Sequence, residues 1–300
     1  MKQLLAHKAA SDIGFTTQVE RLRTQFKESP QYLSLLEELC QFPLGRFLIE
    51  NKGIDGYWTD VVVNHPTRGR VKGINSEGEP LTPLEQKVLD EAPTFLATQQ
   101  RYQIFRQQLQ KLVPDCQRLL SVPSGLMSEL LSLDYADCKG VELIAVDLDR
   151  NILNSIAENA KNYSFKGELQ LIEDDAWRFE VDKQVDVITS NGLNIYVEKD
   201  EKVEALYRQY CKALKPNGHF VGSFLTPIDS WDMDKINVEA LQLQKSIFVD
   251  LLGVNWQQYR TEKLTREQLE RAGFVDIEFI YDEAKIFPTF VARKQALSQN

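Results

Sequence analysis

The chain has 300 residues, 43% of them apolar and 26% charged, with a net charge of −9. That length accommodates one large domain or one domain with a substantial addition, and the composition is that of an ordinary globular protein. The acidic balance argues against a general grip on nucleic acid, which needs a basic face, and no apolar run approaches a membrane span. The opening MKQLLAHKAASD turns polar too soon for a signal peptide. Cys40, Cys116, Cys138 and Cys211 form no CxxC pair, and His7, His65 and His219 are scattered. Reduced thiols in a cytoplasm are expected, with no zinc site.

Residues 1–113 read as mostly helical. Ser34 to Leu39 and Phe42 to Ile49 carry apolar residues at helical spacing. In NKGIDGYWTD, Gly53 and Gly56 act as breakers around the aromatic pair Tyr57 and Trp58. The Gly- and Pro-rich segment from Asn64 to Pro83 predicts a long loop or hairpin, and its Arg68, Arg70 and Lys72 could meet an anionic substrate. Thr82, Pro83 and Glu85 have the spacing of a capping box with proline at the first helical position. Pro93 breaks or starts a helix, and Leu96, Tyr102, Phe105, Leu109 and Leu112 form a stripe that Pro114 stops. A boundary is expected near residue 95, giving an N-terminal helical region over 1–95 and a second domain over 96–300.

Four short apolar runs follow, in RLLSVPSGLMSELLSL, VELIAVDLDRNILNSIAENA, LQLIEDDAWRF and VDVITSNGLNIYV. Each ends in small or acidic residues, and helices fall between them, which predicts parallel strands buried on both faces. In such sheets ligands bind beyond the carboxyl ends of the strands. Those ends carry Ser121 to Gly125, Asp147, Asp149, Asp174 to Trp177 and Ser190 to Tyr196. Next come a helix over Asp200 to Leu214, a KPNG turn, a fifth strand in HFVGSFLTP and a helical insertion over Trp231 to Gly253. A capped helix over Thr265 to Ala272 ends at Gly273, before the antiparallel pair FVDIEFIYD and IFPTFVARK.

This order resembles the class I S-adenosylmethionine-dependent methyltransferase family over residues 115–294. The resemblance implies a Rossmann-like α/β fold, doubly wound, with a seven-stranded mostly parallel sheet whose last strand is antiparallel. It also makes the helical region over 1–95 a cap. In the family the first strand ends in an acidic residue and a GxGxG-like loop. Here the loop reads Ser121-Val122-Pro123-Ser124-Gly125-Leu126-Met127, with only the middle glycine present. The missing glycines also argue against a dinucleotide turn and so against an NAD-dependent oxidoreductase. By resemblance Asp147 accepts from the ribose hydroxyls, and Asp175-Ala176 matches the pair that reads the adenine. Ser121, Pro123, Gly125, Leu148 and Asn191 complete the implied cofactor site, and Trp177 could cover the adenine. Asp149 reads as the cap of the following helix.

The Ser190 to Tyr196 stretch lies, in the family, between the methionine part of the cofactor and the acceptor. It lacks the (Asp/Asn)-Pro-Pro-(Tyr/Phe) pattern of enzymes acting on exocyclic amines. Asn194 and Tyr196 are weak catalytic candidates, and with Tyr57 and Trp58 they are weak substrate candidates. Asp229 and His219 offer little as a base, and no metal is expected, because Ser190 and Asn191 stand where metal-dependent relatives have an acid. The expected activity is methyl transfer from S-adenosylmethionine to a small-molecule acceptor, in a cytoplasmic protein with no membrane partner and a homodimer as one arrangement. The alternative is a catalytically degenerate binding or regulatory protein, favoured by Pro123 and Met127.

Overall fold

The computed structural model describes residues 14–254 and 257–296. The reading of MKQLLAHKAASD falls outside them. The chain divides into two compact units.

The first unit comprises the described residues up to Gln99 together with those of Asp232–Gln257. It holds α1 (Phe15–Gln25), α2 (Pro30–Leu39), α3 (Pro43–Asn51), α4 (Gly56–Asn64), α5 (Gly69–Lys72) and α6 (Pro83–Glu91). α7 (Pro93–Leu112) begins here, at Pro93, and carries the chain into the second unit. The capping box is formed: Thr82 Oγ1 accepts from the Glu85 amide at 3.2 Å. The expected loop from Asn64 to Pro83 is shorter than its Gly and Pro content implied, because α4 runs to Asn64 and α5 supplies one further turn. Tyr57 and Trp58 lie in the first turn of α4, whose N-cap Asp55 accepts from the Trp58 amide at 2.9 Å.

The insertion over Asp232–Gln257 groups with the N-terminal helices rather than with the sheet. Its helix (Val238–Lys245) runs into a π-turn over Ser246–Leu251. The Thr94 amide and hydroxyl both donate to Gln244 Oε1, at 2.9 and 2.8 Å, and Tyr32 donates to Asp250 at 3.1 Å. Ile247 and Leu251 share a core with Leu36, Leu39, Phe42, Leu48, Trp58 and Phe95. A segment remote in sequence thus completes a core that the N-terminal helices begin.

The second unit comprises Gln100–Trp231 and the described residues from Gln258. Its elements are β1 (Arg118–Ser121), α8 (Ser128–Leu131), β2 (Glu142–Asp147), α9 (Arg150–Asn162), β3 (Glu168–Glu173), β4 (Val185–Ser190), α10 (Asp200–Ala213) and β5 (Leu214–Ser223). With the insertion helix as α11, α12 (Glu262–Ala272), β6 (Phe274–Ile280) and β7 (Thr289–Lys294) close the unit. The seven strands lie in the order β3-β2-β1-β4-β5-β7-β6, with β7 antiparallel to both neighbours. Successive residues face opposite ways. Leu120, Ile144, Ile188 and Phe220 pack with α10 and α12 residues such as Val203, Tyr210 and Leu269. Leu119, Leu143, Val187 and Val221 pack with Phe105, Leu109, Leu130 and Ile156 from α7, α8 and α9. Burial on both faces explains the uninterrupted apolar strands.

Two local differences from the sequence reading have simple causes. The KPNG segment lies within β5, where Asn217 takes φ 62° and the pairing with β4 shifts register between Val185 and Val187. The turn residues therefore make a bulge rather than a boundary. α12 starts earlier than Thr265, because Thr261 is its N-cap and accepts from the Leu264 amide at 3.2 Å.

Candidate active site

Chain order reverses between β1 and β4, so the switch point of the sheet lies where Ser121 and Ser190 end their strands. The loop after β1 is tied down from several sides. The Ser124 amide donates to Val146 O at 2.9 Å, and Asn159 Nδ2 donates to Leu126 O at 2.8 Å. Gly125 and Met127 both take left-handed backbone, at φ 47° and 57°. The family's glycine freedom is thus kept at Met127 in backbone terms, although its side chain is buried. The Val122–Pro123 peptide is cis.

Asp147 joins this loop to β2. Its Oδ2 accepts from the Gly125 amide at 3.1 Å and its Oδ1 from the Asp149 amide at 3.0 Å. Burial raises its pKa above the ordinary carboxylate value, and the amides of Asp149 and Gly125 oppose the rise. Each carboxylate oxygen has two lone pairs, so two amide bonds leave capacity for a ligand's hydroxyls. Leu148, next along, is half-buried, and Asp149 caps α9 by accepting from the Asn151 amide at 2.9 Å. After β3, Asp175 Oδ1 accepts from the Trp177 amide at 3.0 Å, while Ala176 is buried. Trp177 packs on the core beside the sheet and donates from its indole to Lys202 O at 2.8 Å.

A buried polar cluster was not legible in the sequence. Ser121 Oγ donates to Glu129 Oε1 at 2.7 Å, and Thr189 Oγ1 donates to the same oxygen at 2.8 Å. Glu129, from the first turn of α8, therefore delivers a carboxylate to the ends of β1 and β4.

The turn after β4 assigns its residues unequally. Asn194 is buried, and its Nδ2 donates to the Tyr207 hydroxyl at 2.9 Å. Burial pushes the Tyr196 phenol up to about 12, so it is neutral at pH 7. Asn191 leaves a buried Oδ1 with no hydrogen-bond partner. Gly192 takes φ 86°, and a Cβ there would lie 3.4 Å from Arg101 Nη1. Arg101, on α7, is 5% exposed and its guanidinium stacks 4.8 Å from the Phe287 ring centre. Burial lowers its pKa to about 10, which leaves it cationic. One signal for it was present in the sequence. Ala97, Arg101, Phe105 and Leu109 stand four apart on one row of α7, all buried, and only one of them is charged.

In the first unit Trp58 is buried in the core, tilted against Phe47 at 5.7 Å, and Tyr57 is 43% exposed. His219 lies within β5, paired with Arg293 of β7. Among the described residues no group of three His, Cys, Asp or Glu could hold a metal ion, and no helix is long and apolar enough to cross a membrane.

Residues 124–218 match a family model described as a methyltransferase domain. A solved structure from Bordetella parapertussis, described as a possible exported protein, is 38% identical, with 99% of this chain and 100% of that chain covered at a TM-score of 0.86. Magnesium protoporphyrin IX methyltransferase from Synechocystis PCC 6803, solved with bound S-adenosylhomocysteine, shares the fold. It is 13% identical, with a TM-score of 0.51 over 79% of this chain and 100% of that chain. No curated protein matches. The methyltransferase-domain match covers the loop after β1 from Ser124, Asp147 and the β4 turn, and the sheet, with β7 antiparallel between β5 and β6, has the fold of the Synechocystis methyltransferase.

Proposed function

We propose that the protein transfers a methyl group to a small-molecule acceptor, without a metal, through the site at the ends of β1 to β4. The observation that carries this reading is the 3.1 Å bond between the Gly125 amide and Asp147. It brings the glycine kept from the family's loop against the acidic residue that the family uses for ribose. Asp147 would hold the ribose hydroxyls, Asp175 and Ala176 the adenine, and Ser121, Pro123, Gly125, Leu148 and Asn191 the rest of the cofactor. Glu129 supplies, from α8, the carboxylate that the family carries at the end of its first strand.

When bound, S-adenosylmethionine supplies a sulfonium methyl group for in-line displacement. The chain's own residues position and exclude water. Tyr196, neutral at pH 7, can orient an acceptor by a hydrogen bond but does not abstract a proton there. Asn194 is engaged by Tyr207 and serves the shape of the turn. The cysteine usage supports a reducing compartment, whereas the Bordetella relative is described as a possible exported protein. Fractionation of producing cells decides between the two.

A second reading, a binding protein on a degenerate fold, is favoured by the buried Met127 side chain in the loop where the family has glycine. Calorimetry with S-adenosylmethionine and S-adenosylhomocysteine tests both. Micromolar binding of either supports the cofactor site, and methyl transfer to any acceptor of a small-molecule panel excludes the degenerate reading. A folded chain that binds neither overturns the proposal.

A further inference from the structure

Two pairs of facing hydroxyls lie on the side of the sheet that packs against α7, α8 and α9, and the fold treats them differently. Ser121 and Thr189, opposite each other on β1 and β4, both donate to Glu129 Oε1, at 2.7 and 2.8 Å. Ser223 and Thr289 stand opposite each other on β5 and β7. Each is two residues from a valine, Val221 or Val291, that packs on the α7 side, so the alternation of the strands turns both hydroxyls to that side. They are 2% and 0% exposed, yet among the described residues neither Ser223 Oγ nor Thr289 Oγ1 has a hydrogen-bond partner. Their main chain is engaged in the ladder, which runs on through the Phe224 amide to Pro288 O at 3.4 Å. A buried hydroxyl without a partner is costly, and two facing each other call for a third group that serves both.

We propose that Ser223 and Thr289 anchor the methyl acceptor, by a neutral hydroxyl or carboxamide on it. The inference rests on the proposed methyltransferase site and adds the substrate class of that site. The cofactor residues of that reading follow β1, β2, β3 and β4, ending with Asn191, one step past the Ser190–Gly222 pair. Ser223 and Thr289 continue the same layer onto β5 and β7, where the other reactant would lie. A serine and a threonine hydroxyl can each donate and accept, which matches a head that does both. The buried charges packed nearby are Arg101, stacked on Phe287, and Asp282, which accepts from the Phe287 amide at 2.7 Å. They are opposite in sign and act on each other, so they bring no net charge that would favour an ionic head.

The test uses the full chain with S-adenosylhomocysteine, and its Ser223→Ala and Thr289→Val variants. Removing a hydroxyl that has no partner should leave the melting temperature of the ligand-free protein unchanged or higher. A lower one would show that enclosed water joins the hydroxyls as part of the fold, and would overturn the proposal. The probes are benzyl alcohol, benzamide, benzoate, benzylamine and toluene, which share a ring and differ in its head, titrated by ligand-observed NMR. The expected result is that benzyl alcohol or benzamide binds the parent more tightly than the charged and apolar probes. Each variant should weaken that binding by roughly three- to tenfold and leave S-adenosylhomocysteine affinity unchanged. A preference for a charged or apolar probe, equal binding across the series, no binding at all, or variants that bind as the parent does each overturn it. If the parent does not bind S-adenosylhomocysteine, the cofactor reading falls, and the same series on the ligand-free protein decides Ser223 and Thr289.

Discussion

Asp147 serves the structure through its amide bonds and, in the proposed function, would also hold the ribose. It accepts from two amides, of Gly125 and Asp149, and burial raises its pKa. Because the folded value lies above the unfolded one, this group favours the ligand-free fold at low pH, and that contribution is lost as the pH rises through the raised value. Cofactor binding should run the other way, because only the ionised form accepts bonds from both ribose hydroxyls. Affinity for S-adenosylmethionine is therefore expected to fall on acidification, beginning above the ordinary aspartate value of about 4. In Asp147→Asn it should be weaker by roughly tenfold or more, with the acid-side decline gone. Calorimetry across pH on both proteins checks this, and an identical profile in the variant would remove Asp147 from the ribose. Glu129 gives a second residue-scale expectation. Glu129→Ala removes the acceptor that Ser121 and Thr189 share and leaves these buried hydroxyls only each other, at a cost of about 1–3 kcal/mol, so urea denaturation should show a clear loss of stability.

At the scale of elements, α4 and α6 carry the clearest tests. Trp58 sits in the core of the first unit, and Trp58→Ala should cost about 3–5 kcal/mol. The expectation that Trp58 also meets the acceptor is decided on the same variant. Early melting with normal turnover of the folded fraction assigns it to the core alone, whereas a raised KM with intact cofactor affinity would support the acceptor role. The Thr82 box at the start of α6 is worth less. Thr82→Ala should lower stability by about 1 kcal/mol, read by chemical denaturation, and Thr82→Ser should restore most of it.

For the whole molecule, the proposed chemistry makes one demand. A chelator added to an active preparation should leave the rate of methyl transfer unchanged, and loss restored by magnesium or zinc would show a metal requirement. The division into units bears on how stability is measured. The insertion over Asp232–Gln257 belongs to the first unit although it lies between β5 and β6 in sequence, so neither unit is one continuous segment. Unfolding that reports two transitions would assign each unit its own stability, and Trp58→Ala should shift only the first unit's transition.

The sequence by itself determined the seven strands, the helices between them and the strand ends at Asp147 and Asp175. Buried parallel strands leave apolar runs, and caps such as Thr82 and Asp149 act within a few residues. It also determined the antiparallel β7, through its alternation and family resemblance. Tertiary structure decided the rest, because the deciding contacts join residues far apart in the chain. Glu129 reaches Thr189 only through the pairing of β1 with β4, and the insertion is claimed by Thr94 and Tyr32 rather than by its sequence neighbours. KPNG has a turn's composition, yet it bulges within β5, because Leu214 before it and His219 after it both pair with β4. Arg101 reads in the sequence as one more polar residue on a helix. Only the packing around α7 shows that it is buried, with Nη1 near Gly192 and its guanidinium stacked on Phe287.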